Sequence, residues 1–408
     1  MKNSRRFFSG NWLNDALLLV LIFLILKAGL LIVAIAADQV GYFCDICHDT
    51  NVLWSGNALR SPLSTLQTWD AQNYLHLADA WYVGGEKSIA FFPLLPALLR
   101  AVWLVTGQSF LVAQSVATLL SFGAVVSFYS MVRVLSDRRV ALWSTVLLMT
   151  FPTAFFLHLI YTEALFILLF SLLVIGLMQR WPWWSLVLVS AGLVLSRPHG
   201  IVAVVGVVVA VAWLNYVGSP KKWDARALAE FCKPFSAPLI GVLVGVLLYF
   251  GNMQWSTNDP WAGFAIQKKF GSGFDWYYVW HPLQWIHDAF LVDGTFMSIN
   301  HSILSRLIFF FTCIGLVLLW RSKSFRAFFP LTVVLIAMSA LPGTLASYAR
   351  YALSMVMIFP AIADALLKPT KRTGQRRLNF SLLLTLVILS TAAQLLLFFY
   401  HASNLWVG

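Results

Sequence analysis

The sequence predicts an all-α polytopic membrane protein, and three observations carry that expectation. Its 408 residues are 60% hydrophobic and only 11% charged, with a mean hydropathy of +0.79. The apolar residues collect in runs close to the roughly 20 residues that one helical crossing of the hydrocarbon requires. The remaining charge, +12 at pH 7, is divided unequally between alternate loops. A soluble domain built around one core does not have this composition.

The pattern predicts about eleven transmembrane helices in a single domain over residues 1–408. The runs are Ala16–Ala37, Phe110–Val132, Val140–His158, Glu163–Gln179, Trp183–Ser196, Gly200–Val217, Phe235–Gly251, Ile303–Trp320, Phe328–Leu341, Tyr351–Leu367 and Phe380–Tyr400. The fifth and ninth are short for a crossing. Short loops rich in Lys and Arg stay on the cytoplasmic side. With the N-terminus inside, nineteen of the 28 basic residues lie on inner segments and eleven of the sixteen acids on outer ones. The positive charge is thus a topology signal and does not imply nucleic acid.

"AIAAD", Ala34–Asp38, has the small-residue pattern of a signal-peptide cleavage site, but the apolar region before it is long and interrupted by Lys27. An uncleaved first helix is favoured. Two long outer loops are expected, about 38–109 and about 252–302. Within the first, "SIAFFPLLPALLRAVWLVTG" is apolar, yet counting it as a crossing inverts every later charge assignment. It reads as a helix along the outer interface or a re-entrant segment. Long loops in compact proteins usually carry function.

The candidate site residues cluster on this outer side. Asp70, in "TWDAQNY", is placed either as a general base for a substrate hydroxyl or as the N-cap of a helix beginning at Ala71. Trp69, Tyr74 and His76 flank it. Glu86 either shares a site with Asp70 or pairs as a solvated loop acid with Lys87. Glu163, in "YTE", sits at outer headgroup level, where an ionisable group is a functional candidate. The alternative is that Thr162 caps the next helix and Glu163 complements its dipole. Arg197 and His199, in "SRPHG", and Arg350, in "SYARYAL", are cations at the same level. They would clamp a phosphate through charge-assisted bonds or snorkel to lipid headgroups.

"CDICH", Cys44–His48, matches the C-x-x-C-H haem pattern, but an outer-side disulfide between Cys44 and Cys47 suits that compartment better. No P-loop, dinucleotide fingerprint or metal-ligand spacing occurs, so no cofactor and no metal are expected.

Four blocks in order, "WDAQNYLHLADAWYVGGEKSIAFFPLLPALLR", "FPTAFFLHLIYTEALFILLFSLL", "SRPHG" and "RYALSMVMIFPAIADAL", resemble the PIG-V-type (GPI mannosyltransferase 2-like) mannosyltransferases. Pro198 and His199 depart from the Asn that more often precedes the Gly of the third block. The resemblance implies GT-C glycosyltransferase architecture, with interfacial helices in the long outer first loop and an active site on the non-cytoplasmic face. It further implies inverting transfer of a hexose, mannose first among the expectations, from a polyprenyl-phosphate donor to an acceptor hydroxyl on a glycolipid, glycan or protein. Asp70 would be the base, and Arg350 with Arg197 or His199 the phosphate clamp, facing it across the sugar. Trp69, Tyr74, His76, Glu86 and Glu163 would bind substrate. A prokaryotic cytoplasmic membrane is the expected location. The alternative is a non-enzymatic transporter or flippase of a lipid-linked saccharide; that class favours internal repeats and broken midplane helices.

Overall fold

The computed structural model describes residues 12–40, 64–217, 225–269, 276–368 and 373–407. Cys44, Cys47 and His48 lie outside them. Helix makes up 81% of the described residues, and no strand is present among them.

The chain opens with α1 (Trp12–Val40), followed in the first long loop by α2 (Asp70–Ala80) and α3 (Leu94–Thr106). Next come α4 (Phe110–Leu135), α5 (Arg138–Thr150), α6 (Glu163–Gln179), α7 (Trp183–Ser196), α8 (Gly200–Val217) and α9 (Ala225–Thr257). The second long loop carries α10 (Ala262–Lys269), α11 (Trp276–Trp280) and α12 (Pro282–Ile286). The chain closes with α13 (Ile303–Arg321), α14 (Phe329–Ala340), α15 (Tyr348–Tyr351), α16 (Ile358–Leu367) and α17 (Thr373–Ala402).

Six helices among the described residues are long and apolar enough to cross a membrane, seven if the bent pair Tyr348–Ser354 and Ile358–Leu367 is one span. The chain is therefore a multi-pass membrane protein, with fewer full-length crossings among the described residues than the eleven runs. The expected third run, Val140–His158, stops as an α-helix at Thr150 and resumes as a 3₁₀ turn, Ala154–His158. Pro152 supplies the reason: its ring drives the preceding residue out of the α region, and Phe151 has φ −56° and ψ 142°. The tenth run breaks at Met355–Met357 and bends by 73°. Pro360 has no N–H for the carbonyl four residues back, so a continuous helix through Val356 is disfavoured. The runs at α6, α7 and α14 form helices of 17, 14 and 12 residues.

Helix α6 lies at the centre of the core, packed on α4, α7 and α8. The crossing of α7 and α9 is tight because Gly241 and Gly245, a G-x-x-x-G pair, face it; a Cβ at Gly241 would lie 2.6 Å from the Val187 carbonyl oxygen. Helix α3 forms within the apolar stretch Ser88–Gly107. It buries Leu95, Leu99 and Trp103 while Leu104 and Val105 stay exposed. Arg100 on α3 donates to the Ala78 and Asp79 carbonyls (3.2 and 2.7 Å) and so caps the C-terminus of α2.

Candidate active site

Asp70 is the first residue of α2, one position earlier than the capping reading requires. The N-cap position is held by Trp69, which makes no side-chain capping bond. The preceding Trp69 adopts φ 57°, a left-handed conformation that is strained for a bulky residue. The Asp70 carboxylate accepts a hydrogen bond from the Arg350 guanidinium, which arrives from α15, 280 residues away.

From there charges alternate. Arg350 Nε lies 3.1 Å from Glu163 Oε1 at the start of α6, and that same oxygen accepts from the Arg197 guanidinium at the end of α7. Arg197 also donates to Thr162 Oγ1 (3.0 Å) and Ser354 Oγ (2.9 Å). Thr162 makes no capping bond; its hydroxyl is held by Arg197 and by the Tyr74 hydroxyl at 3.2 Å. Four segments distant in sequence thus build one row, Asp70, Arg350, Glu163 and Arg197, with two acids and two cations. Glu163 is 1% exposed, and its second oxygen, Oε2, is buried without a hydrogen-bond partner.

Aromatic rings enclose the row. Arg350 lies over Tyr351, Tyr161 and Phe156 at 5.1, 5.5 and 5.9 Å, and Arg197 lies 5.5 Å from the Tyr351 ring. Cation–π contact in a dehydrated setting holds guanidinium planes more strongly than in water. Burial, then the neighbouring Asp70 carboxylate, holds the Tyr74 and Tyr161 hydroxyls well above the usual tyrosine range. Burial, then Arg197 and Arg350, holds His199 well below the usual histidine range, so its imidazole is neutral. His199 Nε2 is 3.1 Å from Ser354 Oγ.

Not every candidate joins this group. Six residues separate His76 from Asp70, about 120° apart around a helix of 3.6 residues per turn. Accordingly His76 pairs with Glu86 at 2.7 Å, and Ser88 donates to the same Glu86 oxygen at 3.0 Å. Glu86 thus has a histidine partner rather than Lys87. Trp69 packs edge-on against Trp406, 4.9 Å between centroids. Asp70 and Arg350, expected as base and clamp, are in direct contact.

Sequence reasoning passed over Tyr161, Tyr351, Ser354 and His401. Ser354 follows Arg350 by four residues, the spacing of one helical face, which was a usable signal. His401 had none. It reaches the site from the far end of the chain, where its Nε2 lies 3.4 Å from Thr68 Oγ1 and its ring packs on Phe155 and Phe156. Among the described residues no group of three or more His, Cys, Asp or Glu converges as a metal site.

No family model matches the chain, and no curated protein matches it. Among solved structures it is similar to the Archaeoglobus fulgidus oligosaccharyltransferase in complex with zinc and sulfate, with a TM-score of 0.42 and 11% identity over 94% of this chain and 53% of that one. The same enzyme tethered to an acceptor peptide gives 0.41 and 12%, over 99% of this chain and 56% of that one. The chain spans about half the length of these structures.

Proposed function

We propose that the chain is a membrane glycosyltransferase of GT-C architecture, working at the non-cytoplasmic face. It moves a hexose, mannose by the sequence resemblance, from a polyprenyl-phosphate donor to an acceptor hydroxyl with inversion. The observation that carries this reading is the row Asp70, Arg350, Glu163 and Arg197, in which Arg350, Glu163 and Arg197 are buried and Asp70 is partly exposed. Replacing a buried ion pair by packed hydrophobic residues is often neutral or stabilising, so stability alone does not account for four such groups. Sites of this kind concentrate where chemistry is done.

In the proposed reaction the donor phosphate takes over the Arg350 guanidinium, which frees the Asp70 carboxylate to receive the acceptor's hydroxyl proton. The acceptor oxygen bonds to C1 as the bond from C1 to the phosphate oxygen breaks. The phosphate leaves as a dianion neutralised by Arg350. Glu163 holds both guanidiniums in register, and Arg197 fixes Thr162 and Ser354 around them. Membrane lipids carry the donor, and no nucleic acid takes part.

The test is Asp70→Asn, compared with the unaltered chain at matched abundance by mass spectrometry of envelope lipids, glycans and glycoproteins. A positioned general base contributes about 10²- to 10⁴-fold. A species lacking one hexose is the expected result; full transfer by the variant would remove the base assignment. One observation favours the transporter alternative: the helix breaks at 151–162 and at Met355–Met357 are of the kind that line transport sites. Substrate flux that persists in Asp70→Asn without any hexose transfer would select it.

A further inference from the structure

Lys27 is a charge with no obvious occupation. It lies fifteen residues past the start of α1 and thirteen before its end, about 20 Å from either terminus at 1.5 Å per residue. Its side chain does not span that distance to reach headgroups, and no acid pairs with it among the described residues. An ionisable side chain at such depth is a candidate for a functional role.

Its ammonium turns inward. Nζ lies 3.1 Å from the His158 carbonyl oxygen and 3.1 Å from Thr118 Oγ1. The same carbonyl accepts from Gln114 Nε2 at 2.8 Å, and Ser121 Oγ donates to the neighbouring Leu157 carbonyl. These two carbonyls belong to the stretch broken by Pro152. In hydrocarbon such backbone groups need internal partners, and side chains of α1 and α4 supply them. The His158 ring also stacks on Phe23 of α1, 4.9 Å between centroids.

The upper side of the same stretch is the site. Phe156 and Tyr161 lie under Arg350, Thr162 accepts from Arg197, and Glu163 joins the two cations. Thr153 ties the stretch to α15 through the Ala349 carbonyl at 2.8 Å. Lys27 further lines a small cavity with Leu66, His158, Leu159 and Phe398, so it underlies both the segment that leads to Asp70 and the one that leads to Glu163.

We propose that Lys27 is a positioning residue: by holding the His158 carbonyl it fixes the broken stretch that carries Tyr161 and Thr162 and leads into Glu163. Gln114 already offers a neutral donor to this carbonyl. The charged donor adds a stronger bond on its second lone pair, and that bond fixes the direction in which the chain enters α6.

The kinetic half of the test rests on the transferase reading; the structural half does not. In the full chain, hydrogen exchange over residues 151–166 is compared for the unaltered protein, Lys27→Met and Lys27→Arg. Lys27→Met should speed exchange around 157–164 by about tenfold or more, and Lys27→Arg, which keeps a charged donor, should stay within about threefold. Unchanged exchange in Lys27→Met would overturn the proposal whatever the protein does. Should Lys27→Met fail to fold, Lys27→Gln, which keeps one neutral donor, takes its place with the same criterion.

Where transfer is measurable, Lys27→Met should lower kcat about tenfold while leaving KM for the donor nearly unchanged. In a Glu163→Gln background it should lower kcat no further, since both changes act on one group. Equal losses in the two backgrounds would show that Lys27 does not act through Glu163.

Discussion

The molecule holds two buried acids paired to arginine at opposite ends of its helices, and they differ in how completely the pairing is satisfied. At one end Asp15 of α1, 2% exposed, accepts from Arg138 Nε at 2.7 Å and from the Tyr129 hydroxyl at 2.5 Å. Both its oxygens are bonded, its partners sit on the adjacent helices α4 and α5, and Arg138 is 46% exposed to its surroundings. At the other end Glu163 shares one oxygen between two buried arginines and leaves the second unbonded. A saturated pair locks helix ends. An unsaturated row walled by aromatic rings retains capacity to exchange partners, which chemistry requires and a lock does not.

The comparison breaks most readily at Arg350. Arg350→Lys keeps the charge but loses the planar fork that reaches Asp70 and Glu163 together. Removing one preorganised donor to a developing charge costs about 10²- to 10³-fold in kcat, and the loss should appear without a matching fall in folded yield. Steady-state kinetics on purified Arg350→Lys check this; near-normal kcat would reduce the row to a second structural lock.

Asp15→Asn gives the converse. The pair at that end should contribute stability and nothing to turnover. The variant should lose about 1–3 kcal/mol, read by denaturant unfolding in detergent, while kcat per folded molecule stays unchanged. A fall in kcat comparable to that of Arg350→Lys would erase the distinction between the two ends.

The residues of the row were legible one at a time, because acids and arginines at the ends of apolar runs are conspicuous in a chain so poor in charge. Their contact was not. Nothing in the spacing of Asp70 and Arg350 brings residues 280 positions apart together, and only the tertiary fold does so. The fold class was legible from hydropathy alone. The number of full crossings was not, since the apolar runs continue through Pro152 and Pro360 while the helices stop there. Helical phase, had it been applied to α2, would have separated His76 from Asp70 and joined Asp70 to Tyr74, four residues on.

The smallest expected effect sharpens the account of the row's electrostatics. His199 is buried beside two guanidiniums, so the folded protein resists its protonation, whereas the unfolded chain binds a proton with an ordinary histidine pKa of about 6.5. Below that pH the unfolded state holds more protons than the folded one, so stability falls as pH falls. The contribution is complete above about pH 6.5 and is lost at about 1.4 kcal/mol per pH unit beneath it. Between pH 7.5 and 5.5 the unaltered protein should therefore lose about 1.4 kcal/mol more than His199→Gln, which has no proton to gain. Parallel unfolding curves at the two pH values decide it. An equal loss in both proteins would mean that His199 takes up its proton in the folded state, and hence that the two arginines are further occupied by Asp70 and Glu163 than their geometry implies.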